Sequence, residues 1–238
     1  MSTEAGALLV LASSFDAEAA TFVETHAAAN VLRVTPRDLS REGWTLRSGD
    51  PSSLVAVSGS LRLGRECIRG VLPRLSHVDE SQLPHIAHED RAYVASEMTA
   101  FLLAFLSAFD GGVHNRPTSQ CLCGPYWSPE RWRRLAGALE IPVRFQPRFA
   151  SREDSIPAEG DPPTVVTLVG DVVFGDARLG RAVAALARAA RAEMLRAEFV
   201  GAGAGALLLN ASPLVNLADP DIAKAALALF PSQARVLA

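Results

Sequence analysis

The sequence predicts an α/β protein: an open sheet with helices, followed by a smaller α+β unit. Three observations carry this. Ala7 to Ala12 (ALLVLA) is a short, unbroken apolar run, the pattern of a strand buried on both faces of a parallel sheet. Glu89 to Phe109 repeats apolar residues at helical spacing over a long stretch. Thr164 to Val169 and Val172 to Phe174 are β-rich runs joined by Gly170-Asp171, the spacing of a tight hairpin.

The elements follow in order. After the first strand, Ser13 to Asp16 makes a turn and a cap, and Ala17 to Ala29 reads as an amphipathic helix with Ala20, Phe22, Val23 and Ala27 among its apolar positions. Val31 to Val34 is a second strand. Leu54–Val57 and Leu61–Leu63 flank Ser58-Gly59-Ser60 as a hairpin. Ile68 to Leu72 is a further strand, followed by Pro73-Arg74; strand–helix–strand then strand indicates an open α/β sheet. Residues 75–88 form a loop with three of the five histidines, His77, His85 and His88. Their irregular spacing reads as a solvated loop, not a metal site. In the helix of Glu89 to Phe109, Tyr93, Val94, Met98, Phe101, Leu102, Phe105, Leu106 and Phe109 form a broad core face.

Gly111-Gly112 ends that helix and opens a hinge stretch, Val113 to Val143. Pro117 forces Arg116 into an extended conformation. Ser128 is an N-cap with Pro129 at the first helical position, and Trp132, Leu135, Ala136 and Leu139 recur at helical spacing. Ile141 to Val143 opens a strand, and 144–163 is an extended segment and linker. Beyond the hairpin, Arg178 to Phe199 reads as one long helix with Val183, Leu186, Ala187, Ala190 and Met194 as its stripe. The glycine-rich turn Gly201 to Gly205 precedes a strand instead of opening a helix, so it is not a dinucleotide loop. Ala206 to Leu209 is that strand, Asn210-Ala211-Ser212-Pro213 follows, and Asp219-Pro220 caps a last helix to Leu229. The domains expected are 1–112, a hinge and linker over 113–163, and 164–238.

Composition narrows the function. The 238 residues are 49% hydrophobic and 21% charged, a globular chain with a proper core. A formal net charge of -3 gives no argument for nucleic acid or a membrane surface. No uncharged apolar run reaches the ~18 residues a spanning helix needs. The N-terminal apolar run lacks a basic region, so it reads as a strand and not a signal peptide. Three cysteines, an odd number, suit a reducing cytoplasm. Cys121 and Cys123, with His114 nearby, are too few for a zinc site and read as small apolar fillers. Lys224 is the one lysine among 23 basic residues, so paired lysines on a nucleotide's phosphates are ruled out.

The polar Asn115-Arg116-Pro117 loop and capped helix, then the hairpin VVTLVGDVVF, a helix, and ALLLNASPLVNL, follow one order. That order resembles the ATP-grasp superfamily, with ribosomal-protein glutamate ligases and glutathione synthetases among its members. The N-terminal half is similar to a pre-ATP-grasp domain, with Arg74 after a strand and Asn115 before Pro117. The resemblance spans nearly the whole chain, and the order of its short motifs is its best support. It implies a pre-ATP-grasp-like open sheet plus a reduced ATP-grasp C-terminal unit. It also implies a strand ending E-x-N-x-x-P that supplies Mg²⁺ ligands. Asn210 and Pro213 match, but Leu208 stands at the acid. It further implies a lid sheet with phosphate-binding lysines, where this chain has only residues 143–163.

The expectation is therefore a degenerate ATP-grasp-like protein with no ligase activity of its own and no cofactor, acting as a binding or scaffold partner in peptide or natural-product modification. The alternative is a carboxylate–amine ligase component using ATP and Mg²⁺, completed by a partner chain. No catalytic or metal residue is assigned. Ligand binding is expected at Arg74, Asn115 and Arg116, converging on a carboxylate at the strand ends, with Asn210 as the remaining ligand residue. A second copy of the chain, making a homodimer, is expected to cover the surface a missing lid exposes.

Overall fold

The computed structural model describes residues 6–47, 49–144 and 163–230. They divide into two compact units. One runs to Tyr126 and resumes at Asn216; the other is Trp127–Val215.

The first unit is built on a parallel sheet of β1 (Ala7–Leu11), β2 (Val31–Val34), β6 (Ile68–Pro73) and β7 (Gly112–Val113), in the order β2-β1-β6-β7. β1 lies in the middle and is buried along its whole length, as an unbroken apolar run should be. α1 (Ala17–Thr25) follows it, with the Asp16 side chain accepting a hydrogen bond from the Ala19 amide at 2.9 Å and with Ala19 and Phe22 turned inward. A 3-10 turn and a left-handed Asn30 (φ 54°) end this segment before β2. α2 (Pro36–Leu39) carries a Thr35–Asp38 capping box. The predicted hairpin is present as β4 (Asp50–Ser58) and β5 (Leu61–Gly64), with Ser58 opposite Leu61. A third strand, β3 (Thr45–Arg47), extends it; three residues give no readable alternation.

α3 (Arg91–Ala108) packs Leu102, Phe105 and Leu106 into the same core as Leu9 and Val71. Its apolar face is narrower than its spacing suggested: Tyr93 is 68% exposed.

The second unit is an antiparallel sheet of β8 (Thr164–Val169), β9 (Val172–Phe174), β10 (Met194–Val200) and β11 (Leu207–Ser212), in the order β11-β10-β8-β9. α4 (Pro129–Ala138) starts at Ser128, whose hydroxyl accepts from the Arg131 amide, and buries Trp132 and Ala136 against β11. α5 (Gly180–Ala190) packs on β8 and β10. The long helix predicted over Arg178–Phe199 is corrected here. It ends at Ala190, where Arg191 turns left-handed (φ 56°), and residues 194–200 are the central strand. Leu195, Ala197 and Phe199 face the core at period two, while Arg196 and Glu198 face away. Backbone pairing to a strand on either side outweighs the helical preference of the Ala- and Arg-rich run. The strand predicted at Ile141–Val143 is reduced to one parallel bridge, Val143 to Leu208. The linker reading of 144–163 falls almost wholly outside the described residues.

The chain then returns to the first unit through α6 (Pro220–Ala228), capped by Asp219. Sequence order alone grouped this helix with the second unit. Phe230 explains its place. Its ring lies against Gly70 and Gly112, and a Cβ at Gly70 would collide with it. Arg69 donates to the Phe230 carbonyl, and the His114 Nε2 lies 2.9 Å from the Leu229 carbonyl.

Candidate functional site

The parallel sheet brings Arg74 and the 114–124 loop to the C-terminal ends of β6 and β7. The Arg74 amide donates to the Leu11 carbonyl at 2.7 Å, continuing the sheet pairing by one residue. Its side chain is only 6% exposed. Nε donates to Asp16 Oδ2 at 2.7 Å and Nη2 to Glu18 Oε2 at 2.9 Å. One planar guanidinium thus holds two carboxylates of the first turn of α1, a geometry its fixed fork favours. Asp16 is both the cap of α1 and a partner of Arg74.

Asn115 is 2% exposed and left-handed (φ 56°), a conformation asparagine tolerates better than most residues. Gly124 closes over it; a Cβ there would lie 3.0 Å from that of Asn115. The loop is tied to the end of β6 by the Leu122 amide, which donates to the Ser76 carbonyl at 2.9 Å. Arg116 is exposed, and its Nη2 reaches the Gly111 carbonyl at 3.4 Å. The two guanidinium groups named from sequence therefore have different partners: Arg74 holds carboxylates of its own chain, and Arg116 stands at the surface.

Asn210 lies in the second unit, on β11. Its Oδ1 is buried and accepts no hydrogen bond. A bulge shapes its surroundings. Glu198 is opposite Asn210, but the next residue of β10, Phe199, is opposite Leu208, so Leu209 is the extra residue. Leu208 and Ala211 thereby both turn into the core. The carboxylate in register with Asn210 is Glu198 on the neighbouring strand, and Arg196 Nη2 pairs with its Oε1 at 2.9 Å. Sequence reading missed Glu198 because it was assigned to a helix; the alternation in MLRAEFV was the available signal.

Mg²⁺ takes near-octahedral oxygen coordination, with one or two carboxylates beside phosphate oxygens and water. One neutral amide oxygen and one carboxylate already neutralised by an arginine do not fit that ion. Nor, among the described residues, does any group of three or more His, Cys, Asp or Glu form a metal site. Two of the three histidines of the 75–88 region have separate partners, His85 with Ser40 at 2.7 Å and His77 with Ser76 at 3.0 Å. The glycine-rich turn is held by Asp176, which accepts from the amides of Arg178 (2.9 Å) and Gly203 (3.0 Å). Those bonds hold the Asp176 carboxyl below its usual range.

No protein-family model and no curated protein matches this sequence. Solved structures do match. The macrocyclase MdnC from Microcystis aeruginosa MRC, bound with precursor peptide MdnA, is similar over 95% of this chain and 100% of its own, with a TM-score of 0.69 at 13% identity. The ATP-grasp ligase PsnB, complexed with a minimal precursor, is similar over 96% of this chain and 100% of its own, with a TM-score of 0.65 at 10% identity. The fold is ATP-grasp-like. A RimK domain protein ATP-grasp from Sphaerobacter thermophilus DSM 20745 shares it at 15% identity, with a TM-score of 0.53 over 94% of this chain and 99% of its own. Within this ATP-grasp-like fold, Asn210 and Glu198 lie on the antiparallel sheet, while Arg74 and Asn115 lie at the ends of the parallel one. Among the described residues no helix is long and apolar enough to cross a membrane.

Proposed function

We propose that this chain binds a peptide within a peptide-modification system and has no ligase activity of its own. The observation that carries the reading is the face around Asn210. Phosphoryl transfer depends on neutralising phosphate charge with metal and cations. Here the carboxylate in register with Asn210, Glu198, is bound by Arg196, and the single lysine of the sequence, Lys224, lies on α6. The peptide class is supported by MdnC and PsnB, both of which are known with precursor peptides bound. Arg116, exposed on its loop, is the group placed against a peptide carboxylate; buried Asn115 and the Leu122–Ser76 bond shape that loop, while Arg74 ties the start of α1 to the end of β6. A second copy of the chain completes the assembly, which light scattering checks as a dimer mass.

Calorimetry with ATP and Mg²⁺, together with an ADP-release assay, tests the absence of activity. Neither sub-millimolar binding nor ADP is expected; either one from this chain alone ends the reading. One observation favours a second reading, a ligase component completed by a partner chain. The buried Asn210 Oδ1 is an acceptor with no donor, an arrangement that costs stability unless something fills it. That reading requires ADP release to appear on adding the partner and to disappear in Asn210→Ala.

A further inference from the structure

We propose that Cys121 and Cys123, in the loop after β7, form a reversible dithiol–disulfide couple, with Cys121 as the attacking sulfur and Cys123 as the resolving one. Their Sγ atoms lie 3.5 Å apart in a hydrogen bond, with one residue, Leu122, between them. The pair sits where the chain turns, with Leu122 and Cys123 in the turn itself, and the backbone bonds of the loop fix this arrangement without help from the thiols. The Thr118 amide donates to the Cys121 carbonyl at 2.8 Å, the Cys121 amide donates back to Thr118 at 3.2 Å, and Leu122 is pinned to Ser76. Gly124 (φ 86°) then turns the chain away. Two small apolar fillers would not need their sulfurs aligned.

The two sulfurs differ in a way that assigns their roles. Cys123 is fully buried, whereas Cys121 retains a rim of exposure. The hydrogen bond from Cys123 lowers the Cys121 thiol below its ordinary value, which favours the thiolate there. The same bond, together with burial, raises Cys123; the Arg74 charge offsets part of this. Cys67, the third cysteine, is exposed, and desolvation and Glu66 push its thiol up, so it is the poorer nucleophile.

The oxidant is a low-molecular-weight disulfide. The Cys121 thiolate attacks one of its sulfurs, forms a mixed disulfide and releases one small thiolate. Cys123 gives up its proton and attacks the Cys121 sulfur, and the second small thiol leaves. Two protein thiols are oxidised and one small disulfide is reduced to two thiols. The sulfurs must close from 3.5 Å to about 2.05 Å. A disulfide spanning one residue constrains the unfolded chain little and strains the folded one, so it belongs with the easily reduced class. Its formation tightens the segment whose Leu122 amide is bonded to Ser76, two residues beyond Arg74.

The test uses the wild-type chain in glutathione buffers of graded oxidised-to-reduced ratio, quenched by alkylation and read by peptide mass spectrometry. Alkylation of Cys121 and Cys123 should fall together as the buffer becomes oxidising and return on adding dithiothreitol, while Cys67 stays alkylatable. In Cys123→Ser, with its fold checked by circular dichroism, a glutathione mixed disulfide should accumulate on Cys121. If wild-type Cys121 and Cys123 remain alkylatable at every ratio, or if Cys67 is the site that oxidises, the couple does not exist.

Discussion

The two sheets bury their strands by different rules. β1, central in the parallel sheet, is covered on both faces, so all five of its residues are buried. β10, also paired on both sides, alternates: Leu195, Ala197 and Phe199 are inside, while Arg196 and Glu198 face the other way. An unbroken apolar run is hard to misread as anything but a core strand. An alternating run of seven residues, entered from an alanine-rich helix, is easily absorbed into that helix.

Substitution along the two strands sharpens this contrast most. Leu8→Ala and Leu9→Ala, on opposite faces of β1, should each cost about 2–5 kcal/mol in urea melts. On β10, Phe199→Ala should cost a similar amount, roughly 3–5 kcal/mol, while its neighbour Glu198→Ala should cost under about 1 kcal/mol. Equal costs at Phe199 and Glu198 would break the comparison.

At the strand ends, Arg74→Ala should destabilise by about 2–4 kcal/mol, because it leaves the carboxylates of Asp16 and Glu18 without their cation. Arg116→Ala should leave the melting temperature nearly unchanged and weaken peptide binding instead. A smaller effect tests where α5 ends. Arg191→Gly should stabilise by up to about 1 kcal/mol, since glycine suits a left-handed helix cap; a loss of stability would place Arg191 back inside a helix. The smallest concerns Asp176. Its folded pKa is depressed, so its contribution is present above its unfolded pKa and is lost as pH falls through the folded value. Amide exchange at Gly203 should therefore quicken below the usual carboxylate range, and in Asp176→Ala it should already be fast at neutral pH.

Much of this was legible in the sequence. Caps at Ser128 and Asp219 and the turn at Gly170 fix their elements through local chemistry, and each is where it was read. What was not legible depended on partners distant in the chain. Glu198 acquires its relation to Asn210 only through strand pairing and a bulge. Arg74 reads as a loop arginine until α1 delivers two carboxylates to it. The thiols of Cys121 and Cys123 meet because of bonds to Thr118 and Ser76 that no spacing rule announces.

The seating of Phe230 against Gly70 and Gly112 bears on how the chain can be divided. The first unit is discontinuous, and its last piece arrives only after the whole second unit has been made. A stop codon after Tyr126 would yield a fragment whose glycine-lined socket opens to water and whose Arg69 lacks the Phe230 carbonyl. To obtain that unit alone, one excises the middle and rejoins Tyr126 to Asn216. During synthesis, the half that leaves the ribosome first is the half that must wait to close.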